Sequence, residues 1–137
     1  MARGITGRAL ARETPTATIP TQLGAPLFAL SCSFDTSDEY ILRKASFAFR
    51  VIDVIVHCEE TNSNGSCNVE RNGTDIATTD LTCDTNHEVT SLSGNLDGSG
   101  AVGILDDAQH QVAIGDNLEV SPTNAAKGTI TLICVRT

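Results

Sequence analysis

Cysteine is the residue type in this sequence best suited to nucleophilic or metal chemistry, and the chain has five of them. No Cys-x-x-Cys pair occurs, and the two closest cysteines, Cys58 and Cys67, are nine residues apart. Structural zinc sites use closer ligand pairs on loops, so the sequence predicts no metal site. All five cysteines, which include Cys32, Cys83 and Cys134, share alternating positions with aliphatic or aromatic neighbours. This pattern predicts buried free thiols. One or two disulfides are the alternative, and Cys58 and Cys67 are the first candidates because they flank one hairpin loop.

The histidines do not form a catalytic pattern with the other reactive side chains. The sequence contains no Gly-x-Ser-x-Gly, no His-x-x-x-His and no His-Glu-x-x-His motif. His57 is expected to make a structural hydrogen bond, with Asp53 as a neighbour on the same strand. Clusters of acidic residues elsewhere do not follow the spacing of calcium-binding loops and are predicted to be solvated. We therefore expect no catalytic residues, no cofactor and no enzymatic activity.

Charge is divided unevenly along the 137 residues, whose formal net charge is −8. The segment before residue 27 carries three arginines and one glutamate, a net charge of +2, so the remaining chain carries −10. An acidic body is repelled by nucleic acid and by anionic lipid, so neither is an expected partner. Aromatic residues make up 4% of the chain and Trp is absent, which leaves little for stacking on bases or sugars.

The N-terminal sequence has no apolar run typical of a signal peptide, and no stretch approaches the length of a transmembrane helix. We therefore expect synthesis in a cytoplasm, where thiols stay reduced. Residues 1–26 are predicted to form an extended N-terminal arm, because prolines and glycines interrupt any strand or helix period. Two interpretations stay open: a tail without fixed structure, or an arm that becomes ordered on a neighbouring subunit.

The stretch from Phe47 to Cys58 predicts the central strand, because it is rich in β-branched residues. Strict alternation would place Ile52, Val54, Val56 and Cys58 on one face. The other face would carry the remaining apolar side chains together with Asp53 and His57. Such a strand either lies deep in a sheet or has its second face covered by a partner, and we expect a second subunit to cover that face. The residues predicted for this subunit interface are Phe49, Val51, Asp53 and Ile55.

The rest of the chain reads as short strands separated by turns. A half-buried strand is predicted from Leu27 to Phe34, and Asn72-Gly73 is the strongest hairpin signal. Residues 104–111 fit either a helical turn or an edge strand. The closing strand is predicted over 129–136. About eight strands without a confident helix indicate an all-β fold, an antiparallel β-sandwich or jelly-roll-like domain over 27–137.

These features together resemble the small all-β decoration (cement) proteins on the heads of tailed bacteriophages. The resemblance is carried by the Pro/Thr-rich arm before an acidic β domain, by the core strand with two apolar faces, and by one C-terminal stretch. That stretch runs Ile114-Gly115-Asp116-Asn117-Leu118-Glu119-Val120 and leads into the closing strand from Gly128 to Arg136. The likeness covers most of the chain and contains no diagnostic motif.

The resemblance implies a homotrimer that binds the major capsid protein on the outer surface of the head and stabilises contacts between its subunits. The arm would make the capsid contact, and the residues expected to carry it are Arg3, Arg8, Arg12, Leu23, Leu27 and Phe28. Two alternatives stay open. One is another virion component, such as a head-fibre base or a tail protein, and the other is a carbohydrate-binding β-sandwich module.

Overall fold

The computed structural model describes residues 26–94 and 103–137. The predicted arm contacts of Arg3, Arg8, Arg12 and Leu23 lie outside the described residues. Ten short strands make up the described chain, and none of these residues forms a helix. The strands are β1 (Leu27–Asp35), β2 (Glu39–Leu42), β3 (Phe49–Cys58), β4 (Ser66–Arg71), β5 (Thr74–Asp75), β6 (Leu81–Thr82), β7 (Val89–Ser91), β8 (Gln111–Val112), β9 (Leu118–Thr123) and β10 (Lys127–Arg136).

The strands form two antiparallel sheets packed face to face, which confirms the predicted all-β sandwich. The first sheet has the order β1-β10-β3-β7, with β8 also paired to β3. The second sheet has the order β2-β9-β4-β5, with β6 also paired to β4. Within residues 26–94 and 103–137, no helix has the length and apolarity needed to cross a membrane.

The core lies between the sheets and consists of aliphatic side chains with a cluster of aromatic rings at one end. On β10 every second residue is buried, as alternation requires of a strand with one inward face. The rings of Phe28, Phe47 and Phe49 pack edge to face or tilted, with centroids 5.2–5.8 Å apart. Such ring pairs stabilise a core beyond the area that they bury.

The central strand β3 departs from strict alternation because it contains a β-bulge. Val54 lies opposite Leu132 and Val51 lies opposite Cys134, so β3 has one residue more than β10 over this stretch. Ile52 is the extra residue, and a bulge reverses the side-chain phase of the strand. Val51 and Val54 are consequently both fully buried, whereas Ile52 is 39% exposed. The prediction that Ile52 shares a face with Val54 is therefore wrong.

The bulge also corrects the predicted subunit interface. Phe49 is 2% exposed and Val51 is fully buried within one chain. Both side chains therefore pack in the sandwich's own core, and neither is available to a second subunit. Asp53 and Ile55 are half-buried on the outer side of the first sheet.

The hairpin predicted at Asn72-Gly73 joins β4 to β5. Asn72 has φ 51° and Gly73 has φ 86°, and two positive φ values identify the two-residue turn that matches strand twist. Residues 104–111 are neither a helix nor a continuous strand. Leu105 makes one isolated bridge to Ala77, and the next strand is the two-residue β8.

Candidate functional site

One corner of the sandwich gathers three loops around a single carboxylate, Asp116. Its oxygens accept hydrogen bonds from Arg71 Nε at 2.7 Å, Asn72 Nδ2 at 2.9 Å and the Ala113 backbone N–H at 2.8 Å. The neighbouring Asn117 donates its backbone N–H to Asn72 Oδ1 at 2.9 Å. We call Arg71, Asn72, Asp116 and Asn117 the polar corner. It fixes the β8–β9 loop against the β4–β5 hairpin.

The polar corner also holds the turn between β2 and β3. The Lys44 backbone N–H donates to Asn117 Oδ1 at 2.9 Å, and the Ala45 N–H donates to the Asp116 carbonyl at 2.8 Å. Lys44 has φ 54°, a left-handed conformation that side chains other than glycine adopt at a cost. These hydrogen bonds hold Lys44 in that conformation, so the corner sets the backbone of all three loops.

The carboxyl group of Asp116 is held in its ionised form. Burial alone would raise its pKa, but hydrogen bonds from Ala113, Asn72 and Arg71, together with the charge of Arg71, bring the pKa below its ordinary value of 3.8. The unfolded chain therefore takes up this proton at a higher pH than the folded chain. The corner stabilises the fold above the unfolded pKa, and that contribution is lost as the pH falls through the folded pKa.

Replacing Asp116 with asparagine should destabilise the domain by about 2 kcal/mol, because the charged partner of the Arg71 guanidinium is lost. Asp35→Asn is the matched control, since Asp35 is 70% exposed and lies 4.0 Å from Lys127 Nζ. The control should change the free energy of unfolding by less than about 0.5 kcal/mol. Urea unfolding at pH 7 and again near pH 3 checks both variants, and the effect of Asp116→Asn should shrink at the lower pH. Equal losses in the two variants would contradict the role given to the polar corner.

Two adjoining depressions of about 330 and about 200 Å³ form a shallow groove beside the polar corner. Tyr40 and Asn117 line both of them. The Arg43 guanidinium lies over the Tyr40 ring, 3.9 Å from its centroid, so one face of the ring is already covered. The groove is mixed in polarity, and its remaining lining residues are Lys44, Asn72, Gly73 and Glu119.

Acidic side chains continue from the groove across the second sheet. Strand register places Tyr40 opposite Glu119, Glu119 opposite Glu70, and Glu70 opposite Asp75. Burial, followed by repulsion from Asp38 and Glu70, raises the pKa of Glu119, while Arg43 opposes the shift. Like charges on adjacent strands repel one another, so this row favours a cationic partner over an anionic one.

Sequence patterns missed the groove as a site. They identified Asn72-Gly73 only as a hairpin, and Arg43 and Lys44 carried no signal. Tyr40 is the chain's single tyrosine. Its side chain is 42% exposed, and this exposure, which only the structure reveals, identifies the groove as a candidate site.

The five cysteines are free, and four of them are buried, as predicted; Cys32 is half-buried. Burial, then the neighbouring Cys58 thiol, raises the pKa of Cys83 to about 12. Burial also raises the pKa of Cys134 to about 12. A thiol with such a pKa is protonated at neutral pH and is a poor nucleophile and metal ligand. The alternative pairing of Cys58 with Cys67 is not found.

A thiol reagent should modify at most one cysteine, Cys32, in the native protein, because the other four thiols are inaccessible. All five should react after denaturation without reductant. Mass spectrometry of the labelled chain gives both numbers, and Cys32→Ser should abolish the native reaction. Rapid native labelling of Cys134 would contradict the core assignment, and fewer than five thiols after denaturation would reveal a disulfide.

The histidines do not assemble a reactive site with other groups. The rings of His57 and His87 stack on the surface with centroids 6.2 Å apart. Asp53 accepts hydrogen bonds from Ser93 Oγ at 2.7 Å and from the Val54 N–H at 2.9 Å. It lies four residues along an extended strand from His57, roughly 13 Å away, so the predicted pairing of these two residues is replaced by separate contacts. Among residues 26–94 and 103–137, no three His, Cys, Asp or Glu side chains are grouped to hold a metal ion.

Two residues assigned to the predicted arm fall inside the described domain. Leu27 opens β1 and is 66% exposed, so it lies on the surface where the preceding chain joins. Phe28 is half-buried, and its ring packs on Phe47 and Phe49. Phe28 therefore anchors β1 to the core and is only partly available to a partner.

The chain was compared with models of protein families, with characterised proteins and with solved structures, and none matched.

Proposed function

We propose that this chain is a virion structural protein, a decoration (cement) protein that binds the major capsid protein on the outer surface of a phage head. The observation that carries the proposal is the division between the acidic two-sheet domain and the basic segment joined to the start of β1 at Pro26. The preceding 25 residues, if extended, reach at most about 85 Å from that point. A segment of that reach can contact more than one coat subunit while the sandwich stays outside.

The chemistry of the described domain supports a binding role. The polar corner holds its carboxylate in the ionised form, and the raised pKa values keep the thiols protonated and unreactive. The groove is shallow and open. Other virion components, such as a head-fibre base or a tail protein, would have the same physical properties. The trimer expected from the sequence loses its stated contact surface, since Phe49 and Val51 are buried in one chain. The proposal does not depend on that number of subunits.

Deletion of residues 1–26 is the test of the proposal. We expect the shortened protein to keep its cooperative unfolding transition and to lose most of its attachment to purified heads. Co-sedimentation with heads measures attachment, and the coat protein that co-purifies with the full chain identifies the partner. The triple variant Arg3→Ala, Arg8→Ala and Arg12→Ala should weaken attachment less than the deletion, because it keeps Leu23, the apolar contact that the deletion removes. If the shortened protein attached to heads as fully as the full-length chain, the arm would have no role in attachment.

A carbohydrate-binding module is the second candidate, and the Tyr40 groove favours it. A tyrosine beside Asn72, Asn117 and Glu119 offers an apolar face and polar groups of the kind that hold sugars. The guanidinium of Arg43 counts against it, because it covers a ring face on which a sugar would stack. If the protein binds a glycan array and Tyr40→Ala abolishes that binding, the carbohydrate-binding module becomes the favoured function.

A further inference from the structure

Among the described strands, β1, a nine-residue strand, forms an edge of the first sheet and is paired on one side only. Within residues 26–94 and 103–137, β10 is the one strand that pairs with it. We infer that this edge binds the β1 strand of a second copy of the chain, antiparallel and about a twofold axis at Ser31. The inference rests on the strand edge and is independent of capsid binding.

Successive residues of β1 direct their backbone N–H and C=O groups alternately towards β10 and towards the opposite edge of the strand. The Arg136 N–H donates to the Pro26 carbonyl at 3.1 Å, and the Thr36 N–H donates to the Ala126 carbonyl at 3.1 Å. Both contacts fit the β1–β10 register, in which even-numbered residues of β1 oppose even-numbered residues of β10. In an antiparallel pair, the residues between two hydrogen-bonded pairs direct their N–H and C=O groups away from the partner. Those residues are Leu27, Ala29, Ser31, Ser33 and Asp35.

This edge lacks the features that normally keep strand edges apart. Proteins protect such edges with proline, lysine, bulges or very short strands. The sequence of β1 contains no proline or lysine, its register with β10 is unbroken, and its one charged residue is Asp35 at the end. An unprotected edge of this length is a template for another strand.

The side chains of β1 leave apolar surface at the same edge. Its inward-facing residues Phe28, Leu30 and Cys32 are only half-buried, whereas Phe34 at the end of the strand is 2% exposed. The row of inward side chains in the first sheet stops at β1, so within that sheet these three have described neighbours on the β10 side only. Across the sandwich, Cys32 Sγ donates to the Tyr40 carbonyl at 3.6 Å. A strand added to the edge would cover their exposed parts.

A second copy of β1 complements the first when all nine residues overlap. Phe28 then lies opposite Phe34 of the second copy, and Leu30 lies opposite Cys32 of the second copy. On the outer face Ser31 meets its own symmetry mate, and its small side chain, 2.9 Å from Thr131 Oγ1 within its own sheet, leaves room for the partner. The contact is isologous, as a twofold dimer requires.

Charge complementarity favours a second copy as the partner. In the full-overlap register, Pro26 of one chain lies beyond Asp35 of the other, next to the acidic turn that contains Asp38 and Glu39. Pro26 is where the +2 segment joins the domain, and Arg12, the nearest of its arginines, lies 14 residues before Pro26. The three arginines are therefore tethered within reach of the other chain's acidic turn.

The part of the chain's own segment that spans Pro15 and Pro20 is a poorer occupant of the edge. These prolines lack N–H groups and have opposite parity, so any register that includes both turns one of them towards β1.

Light scattering on the full-length protein gives the first test. We expect a mass near twice the chain mass of 14.4 kDa. Ser31→Pro should reduce it to the single-chain mass, because the N–H of Ser31 points to the free edge and its loss breaks no bond to β10. Ser31→Ala is the matched control and should stay dimeric. A monomeric or trimeric wild-type protein, or a Ser31→Pro protein that folds and stays dimeric, would overturn the inference.

A cross-link tests the register and does not depend on how Ser31→Pro folds. Leu30 and Cys32 of the second copy form a pair without backbone hydrogen bonds, in which Cα atoms lie roughly 4.5 Å apart. That spacing suits a disulfide. Leu30→Cys should therefore give a covalent dimer on mild oxidation, and adding Cys32→Ser should abolish it. No cross-link in Leu30→Cys, or a cross-link in the unaltered chain through two Cys32 thiols, would overturn the full-overlap register.

Discussion

Gly128→Ala is expected to destabilise the domain by about 3 kcal/mol and to lower its melting temperature by about 10 °C. Gly128 faces inward on β10, between Phe34 on β1 and Cys58 on β3. An added Cβ would overlap the carbonyl oxygen of His57 and lie 3.3 Å from the Cys58 Cα. Both are backbone atoms of a central strand, so relief requires the strands to separate.

Gly73→Ala is the control that separates this clash from glycine's conformational freedom. Gly73 has φ +86°, and a Cβ there would meet nothing within 4 Å. Alanine at position 73 should cost about 1 kcal/mol, from backbone strain alone. Thermal unfolding followed by circular dichroism compares the two variants. Equal melting temperatures would show that β10 and β3 do not approach each other this closely.

Val51→Asp should leave no stably folded domain at neutral pH. Val51 is fully buried, and an unpaired carboxylate there costs several kcal/mol, comparable with the whole stability of a small domain. Ile55→Asp is the matched control, since Ile55 is half-buried on the outer face of the same strand. We expect that variant to fold with a loss of about 1 kcal/mol.

The same pair of variants decides between two positions for the apolar side chains of β3. A subunit interface through Val51 predicts that both variants fold and only dissociate. Amide NMR dispersion and light scattering distinguish loss of folding from loss of assembly. A folded, monomeric Val51→Asp protein would show that the Val51 side chain lies at the surface, and this result would contradict the bulge.

The sequence predicted those parts of the fold in which each residue carries its own local signal. Asn72-Gly73 adopts a positive-φ turn because these residues tolerate that conformation, whatever surrounds them. Alternation located β1 and β10, since each has one inward face over most of its length; on β10 the pattern is broken only near the end, where Val135 is buried beside Cys134. It failed at Ile52, because a bulge depends on how β3 pairs with β10 and leaves no mark in composition or period.

The candidate site could not be predicted from the sequence, for a related reason. Arg71 and Asp116 are 45 residues apart and meet only because β4 and β9 are neighbours in the second sheet. Tyr40 and Asn117 line one groove for the same reason. Strand order is set by the whole core, so local patterns cannot place these residues together.

The position of β10 has a consequence for how the protein is made. β10 lies between β1 and β3 in the first sheet and is the last of the ten strands to leave the ribosome. Until it arrives, the two strands synthesised earlier have no partner along the edges that it will occupy. Residues 27 and 135 pair directly, so the first sheet closes only when synthesis has passed β10. Completion of the sheet therefore follows translation of β10, and the waiting strands are the part of the nascent chain most exposed to aggregation.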